Sequence, residues 1–186
     1  MKISIVTSNE ERYNFVKQTL IKYKINLEKK PLHLNEIQAD TLEEVAINKA
    51  ITAAKQLNGP CICEDTELTI KALNNFPGPY LKFVQEKLIS EKIITLLKNE
   101  TMRDATFRSL LVYAQPNEET KTFETKIDCK ILNKKIGLQG RGWDNIILIR
   151  KVGKTLAEHT SNEKFNLWNK GYIDFSKWYS KKGVNK

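Results

Sequence analysis

The chain has 186 residues, of which 40% are hydrophobic and 28% charged. This length and composition predict one folded domain over residues 1–186 and exclude a disordered, collagen-like or low-complexity protein. No apolar run approaches the ~20 residues of a membrane-spanning helix, and the charged N-terminal segment does not resemble a signal peptide. We therefore expect a cytoplasmic protein with no membrane partner.

The net charge is +9, because 31 Lys and Arg residues outnumber 22 Asp and Glu residues. A basic surface favours anionic partners, among which nucleotide phosphates, nucleic acids and negative membrane surfaces all qualify. A nucleic acid is the less expected partner, since no nucleic-acid-binding motif is present. The cysteines Cys61, Cys63 and Cys129 are odd in number and lack a second Cys or His cluster, which predicts buried free thiols.

Strand-like and helix-like segments alternate along the chain, which predicts an α/β fold. The first half is predicted to contain a strand at 2–7, a helix from Ser8 or Asn9, a strand at 26–34, a helix from a Thr41–Glu44 capping box to Leu57, and a short strand at 61–63 that runs into 64–66 and is extended or followed by another at 67–73. The second half is predicted to contain one long helix at 80–98, a β-hairpin of 105–114 and 120–132, a strand at 146–150 and one last helix at 161–179.

The segment Thr7-Ser8-Asn9, with Arg12 one turn later, lies where the first strand turns into the first helix. Free backbone N–H groups at a helix start, together with small polar side chains, form a site for an anion such as phosphate. The alternative is an ordinary helix cap with an exposed arginine. The segment by itself favours the cap.

Acidic residues follow two of the predicted strands. Glu64 and Asp65 come directly after the short apolar strand Cys61-Ile62-Cys63, and Glu36 and Asp40 follow the second strand. Adjacent carboxylates at the end of a strand favour a bound Mg²⁺ or a raised pKa. The alternative is a solvated turn and ordinary surface charges.

Two lysines lie near the starts of predicted helices, where a cation opposes the helix dipole. Lys82 follows the rigid turn Phe76-Pro77-Gly78-Pro79-Tyr80, and Lys164 lies near the start of the last helix. Taken singly each is an exposed lysine, but together with an acidic pair they suggest contacts to phosphate. His33 and His159 are far apart and have no Ser or Cys partner, so both are expected to be structural or surface residues.

A glycine-flanked aromatic residue occurs in the loop Gly140-Arg141-Gly142-Trp143-Asp144. Such a loop can stack on a base, or Trp143 can belong to the hydrophobic core beside a turn. The residues themselves leave the two interpretations open.

Four blocks of the sequence, in order, resemble the inosine triphosphate pyrophosphatase (Ham1-like) family across nearly the whole chain. They are VTSNEER at Val6–Arg12, LNEIQAD at Leu34–Asp40, GPCICEDTELTIKALNNFPGPYLKF at Gly59–Phe83, and GWD at Gly142–Asp144 followed by LAEHTSNEK at Leu156–Lys164. The third block is long and the most specific.

The resemblance implies an elongated α/β body of two lobes around a long mixed β-sheet, usually a homodimer, with its site between the lobes. It also implies Mg²⁺-dependent hydrolysis of deaminated purine nucleoside triphosphates such as ITP, dITP and XTP to the monophosphate and pyrophosphate. This activity clears such nucleotides from the pool.

The resemblance assigns a role to each matching residue. The catalytic set is Asp65, Glu64 and Lys82; the metal ligands are Glu36 and Asp65; and the substrate-binding set is Thr7, Asn9, Arg12, Trp143, Asp144, Lys164, Asn169 and Lys170.

The sequence departs from the family pattern at several of these positions. Ser8 replaces a glycine, Arg12 a lysine, and Arg141 an aromatic residue that stacks on the base; Trp168-Asn169-Lys170 stand in place of the Ser-His-Arg that reads the purine. Arg12 keeps the charge but is larger and forked. We therefore expect altered base selectivity, and the alternative is a nucleotide-binding protein of the same fold with reduced or lost catalysis.

Overall fold

The computed structural model describes residues 2–138 and 140–182. The strands are β1 Lys2–Val6, β2 Asn26–Lys30, β3 Cys61–Ile70, β4 Pro77–Gly78, β5 Asp104–Ala114, β6 Lys121–Ile131, β7 Ile147–Ile149 and β8 Lys154–Thr155. The helices are α1 Glu10–Ile21, α2 Leu42–Leu57, α3 Leu81–Lys87, α4 Ser90–Leu96, α5 Ser161–Trp168 and α6 Lys170–Lys182.

The strands form a mixed sheet in the order β2-β1-β3-β5-β6-β7-β8, with β4 paired to β3. Strand β1 is parallel to both β2 and β3, whereas β7 is antiparallel to β6 and to β8. Parallel neighbours need a crossover connection, which α1 and α2 supply. The predicted α/β class with a long mixed sheet is confirmed.

Two compact units divide the described residues. The first contains residues up to Asp65, Ser109–Thr125 and the chain from Trp168; the second contains Thr66–Arg108 and Lys126–Leu167. The single domain expected from the length stays a prediction.

The core of the first unit lies between α2 and the sheet. Ala46, Ala50 and Ala53 recur at helical spacing and face Cys61 and Cys63 in one buried cluster. All three cysteines of the chain are buried free thiols, as predicted. Rings from β5, β6 and α6 form a second packed group: Tyr113, Phe123, Phe175, Trp178 and Tyr179.

Helix α2 begins and ends where its sequence predicts. The Thr41 side chain accepts a hydrogen bond from the Glu44 backbone N–H, and the Glu44 carboxylate accepts one from the Thr41 backbone N–H. Asn58 ends the helix in the left-handed conformation, with φ 46°. These groups satisfy backbone atoms that a helix end otherwise leaves unpaired.

Among the described residues, no helix is both long and apolar enough to cross a bilayer.

The long helix predicted over 80–98 is wrong, because the chain leaves the helical conformation at Leu88 and Ile89 and forms α3 and α4. The Ser90 hydroxyl that follows donates to Asn145 Oδ1 at 2.7 Å. A hydrogen bond to a residue far along the chain competes here with helix continuation.

The last helix is likewise two helices, interrupted at Asn169. The carbonyl of Trp168 accepts from Thr125 at 3.0 Å, and the Gly171 backbone N–H donates to the same hydroxyl at 2.9 Å. The Trp168 carbonyl and the Gly171 N–H therefore bond to a side chain on β6 and not to backbone groups of a continuous helix. The second strand is also shorter than predicted and ends at Lys30.

Candidate active site

Strand β3 carries the acidic pair Glu64 and Asp65 within its length. The expectation that the strand continues beyond residue 66 is therefore confirmed as far as Ile70, and the placement of the pair at the end of a strand is wrong. The strand continues to Ile70 because Leu68 and Ile70 are buried apolar residues. Successive side chains of a strand point to opposite faces. Glu64 and Asp65 therefore have different partners, and each belongs to its own cluster of charges within the first unit.

The first cluster is formed by Asp65, Lys49 and Glu36. The Lys49 ammonium lies 3.0 Å from Asp65 Oδ1 and 2.7 Å from Glu36 Oε1. Asp65 and Lys49 have only 18% and 17% of their side chains exposed. Lys49 thus joins a residue of the loop before α2 to a residue of β3.

One of the two carboxylate oxygens of Asp65 is buried without a hydrogen-bond partner. Its Oδ2 atom is shielded from solvent and has no hydrogen-bond partner. Burial raises the pKa of Asp65, although the ammonium of Lys49 opposes the shift. Burial opposes protonation of Lys49, but Asp65 and Glu36 outweigh it and raise the pKa of the ammonium. A carboxylate with a raised pKa and one free oxygen is suited to bind a cation or to accept a proton.

Lys49 is the site residue that the sequence reasoning missed. It follows the buried Ala46 by three residues and precedes the buried Ala53 by four, so it lies beside the apolar face of α2. In the sequence, a lysine beside the apolar face of a helix, followed by a strand with two acidic residues, is the pattern that could have indicated this ion pair.

The second cluster is formed around Glu64. Its Oε2 atom lies 3.0 Å from Arg12 Nε, and its Oε1 atom accepts a hydrogen bond from the Ser109 hydroxyl of β5. Tyr172 of α6 is fully buried, and burial together with the nearby Glu64 charge raises the pKa of its hydroxyl. The carboxylate also raises the pKa of Arg12, which stays charged.

The side chains of Thr7 and Asn9 accept backbone hydrogen bonds in the turn between β1 and α1. The Asn9 side chain accepts from the Arg12 backbone N–H at 3.0 Å, and Thr7 Oγ1 accepts from the Asn9 backbone at 3.1 Å. The helix-cap interpretation is therefore confirmed. Arg12 differs from the simple surface arginine of that interpretation, since it is ion-paired with a buried carboxylate.

Asn169 and Lys170 lie at the junction of α5 and α6 and belong to the first unit. Asn169 Oδ1 accepts a hydrogen bond from Thr19 of α1 at 3.2 Å. The Lys170 ammonium pairs with Asp174 at 2.7 Å and is largely exposed. The Thr19 contact orients the Asn169 amide, whose NH₂ group is a donor.

The remaining predicted residues belong to the second unit. Asp144 Oδ2 accepts from Lys164 Nζ at 2.8 Å and from the Arg141 backbone at 3.1 Å. Gly140 makes this loop possible, since it has a φ of +116° and a Cβ there would meet Asp144 at 2.5 Å. Lys82 is exposed in the first turn of α3. Lys164 therefore has a carboxylate partner, and we find Lys82 on the surface.

Trp143 is a core residue in this structure. Its side chain has 0% exposure, and the indole N–H donates to the Leu88 carbonyl at 2.6 Å. Of the two interpretations left open by the sequence, the buried one is observed, and the ring has no surface on which a base could stack. His159 is also buried, with Nδ1 at 2.7 Å from the Thr155 carbonyl, as expected for a structural histidine.

Comparisons with known proteins agree with this architecture. A model of the Ham1 family matches residues 3–171. The chain is 36% identical over 181 residues to a dITP/XTP pyrophosphatase of Methanopyrus kandleri, covering 96% of each protein. It is 34% identical to an inosine triphosphate pyrophosphatase of Puccinia graminis, covering 90% of each.

Solved structures share the fold. The Staphylococcus aureus Ham1 protein aligns with a TM-score of 0.84 at 27% identity, over 98% of this chain and 100% of that protein. A HAM1 protein of Coxiella burnetii aligns with a TM-score of 0.87 at 21% identity, over 97% and 99%, which compares the folds alone.

Proposed function

Since this chain belongs to the Ham1 family, we propose that it hydrolyses the deaminated purine nucleotides ITP, dITP and XTP to their monophosphates and pyrophosphate. The observation that carries the proposal is the similarity over nearly the whole chain to proteins named for these substrates. The proposed role is to remove such nucleotides from the pool of precursors.

The Asp65 cluster supports the chemistry. In the proposed reaction a water oxygen attacks the α-phosphorus, the bond from that phosphorus to the bridging oxygen breaks, and pyrophosphate leaves. A base must take the proton of the attacking water, and its pKa is best when raised toward the working pH. Asp65 has a raised pKa and an oxygen without a partner. We assign it the role of the base.

Cations supply the binding of the triphosphate in this proposal. Arg12 lies in the first turn of α1, where backbone N–H groups also favour an anion. Thr7 and Asn9 shape that turn. Lys82 and Lys164 are further candidates from the family resemblance alone, and Lys164 is paired with Asp144.

Mg²⁺ is the proposed cofactor, with Glu36 and Asp65 as its protein ligands. Among the described residues, no three His, Cys, Asp or Glu side chains are grouped to hold a metal ion. Two carboxylates suit Mg²⁺ nonetheless, because it keeps several waters and commonly binds through one or two carboxylates and substrate phosphates. When bound, the ion would withdraw charge from the phosphate oxygens.

Base selectivity is proposed to differ from the family pattern. Asn169, whose side chain carries an amide NH₂, stands where the family has a histidine, and Arg141 stands in place of a stacking aromatic residue. An NH₂ donor suits a carbonyl oxygen on the base, and an arginine plane can also stack.

The test is release of pyrophosphate by the purified protein with and without Mg²⁺. ITP, dITP, XTP, dUTP and the standard triphosphates are compared, with Asp65→Asn as the control. We expect Mg²⁺-dependent release from the deaminated purines that disappears in the variant. No release from any triphosphate, together with retained binding of ITP, would favour a nucleotide-binding protein without turnover.

We further propose a homodimer in the cytoplasm, supported by the family resemblance and by the location of nucleotide pools. Sedimentation of the purified protein and fractionation of cells test these two points. A monomeric mass at micromolar concentration would refute the dimer.

A further inference from the structure

Glu64 is a buried carboxylate with both oxygens engaged. Only 6% of its side chain is exposed; Oε1 accepts from Ser109 and Oε2 lies 3.0 Å from Arg12 Nε. This differs from Asp65, the next residue, whose Oδ2 has no partner. A carboxylate held between two donors is less suited to take a proton from water than one with a free oxygen.

Arg12 is anchored from one side. The closest contact to Glu64 is through Nε, the nitrogen nearest the chain, and 36% of the arginine side chain stays exposed. A guanidinium has two NH₂ groups besides its Nε–H, and their planar fork matches the oxygens of a phosphate. Pairing through Nε therefore leaves the outer end of Arg12 for an external anion.

The supports of Glu64 come from distant parts of the chain. Ser109 belongs to β5 and is buried, and Tyr172 belongs to α6 and is 1% exposed. Both lie in the same unit as Arg12 and Glu64. Burial and the charge of Glu64 raise the pKa of Tyr172, so its hydroxyl stays protonated beside the carboxylate. The position of Glu64 is thus set by two further elements of the fold, β5 and α6.

We infer that Glu64, held by Ser109 and packed beside Tyr172, is a positioning residue that aims the guanidinium of Arg12 at the phosphates of the substrate. Its role is neither that of a base nor that of a metal ligand. A lysine at position 12 has a single ammonium and cannot offer one nitrogen to Glu64 and a separate planar pair to a phosphate. The inference rests on the proposed function and deepens it.

The test measures binding of inorganic pyrophosphate by calorimetry alongside steady-state hydrolysis of ITP. The variants are Glu64→Gln and Ser109→Ala, each alone and combined with Arg12→Ala. A hydrogen bond to a charged group contributes roughly 1.5–3 kcal/mol, so Glu64→Gln should raise the pyrophosphate Kd and the ITP KM by about 10-fold or more. We expect kcat to change by less than about threefold. In the Arg12→Ala background, Glu64→Gln and Ser109→Ala should each have little further effect on the pyrophosphate Kd and the ITP KM.

The matched control is Glu67→Gln, which removes another buried carboxylate of β3. Glu67 pairs with Arg108 at 2.6 Å, whereas Arg12 pairs with Glu64. It should lower thermal stability to a similar degree and leave pyrophosphate binding unchanged. Equal losses of binding in Glu64→Gln and Glu67→Gln would mean a general structural effect and would overturn the inference.

Other outcomes separate the remaining explanations. Loss of kcat in Glu64→Gln with an unchanged pyrophosphate Kd would make Glu64 part of the chemistry, against the inference. Undiminished effects in the Arg12→Ala background, or no pyrophosphate binding by the native protein, would also overturn it. Pyrophosphate binding that depends on Glu64 and Arg12, without hydrolysis of any triphosphate, would support the inference while refuting the proposed function.

Discussion

Replacement of Trp143 by phenylalanine distinguishes a core residue from a base-stacking residue. The indole is fully buried and its N–H donates to the Leu88 carbonyl at 2.6 Å. The substitution removes this donor and the outer carbon atoms of the indole, but keeps an aromatic ring next to Cβ.

The expected loss of stability follows from these contacts. A buried carbonyl left without its donor costs about 1–3 kcal/mol, and the lost packing of a few buried carbon atoms costs about 1 kcal/mol more. We expect a decrease of about 3 kcal/mol in the free energy of unfolding. For a chain of this size that corresponds to a Tm lower by roughly 6–12 °C.

Urea and thermal denaturation, followed by circular dichroism, measure this loss, and the ITP KM is measured on the folded variant. We expect KM within about twofold of the native value, because the buried ring has no surface for a nucleotide. Trp178→Phe is the control, since Trp178 is half-buried among aromatic rings and should cost about 1 kcal/mol. A tenfold rise in KM with an unchanged Tm would show that Trp143 contacts the base and would refute the reasoning.

Three further predictions concern the site and its supporting helix. Burial raises the pKa of Asp65, so its charged form destabilises the fold at neutral pH. Asp65→Asn should therefore abolish pyrophosphate release yet raise the Tm measured in EDTA. This gain in Tm should vanish below about pH 4, where the aspartate is protonated in both the folded and the unfolded protein. A Tm below that of the native protein at pH 7 would contradict this. Lys49→Met removes the ammonium between Asp65 and Glu36, so Mg²⁺ should raise the Tm of the variant more than that of the native protein, as scanning fluorimetry can measure. Thr41→Ala removes the capping box with Glu44 and should cost about 1 kcal/mol in urea denaturation without changing kcat; a cost near zero would mean that the cap contributes nothing.

Features that depend on neighbouring residues were predicted well. The capping box and the asparagine after α2 define that helix because both ends are satisfied within a few residues. The Asn9 cap of α1 has the same local origin. The burial of Cys61 and Cys63 follows from their place in the apolar start of β3.

The breaks in the two long predicted helices were not predicted, because distant partners cause them. Ser90 bonds to Asn145, and Trp168 and Gly171 bond to Thr125, which lies on another element. Helical periodicity on either side of each break looks continuous in the sequence, and the one local feature that weakens it is Gly171, two residues after the second break.

The candidate site shows the same division. The resemblance of sequence blocks to a known family pointed to Glu36, Asp65 and Arg12 as candidate site residues. Only the tertiary structure placed Lys49 between two carboxylates, directed Glu64 to Arg12 and Ser109, and buried Trp143. The physical reason is that charge and residue type belong to the chain, whereas burial and ion pairing arise only when segments far apart in sequence pack together.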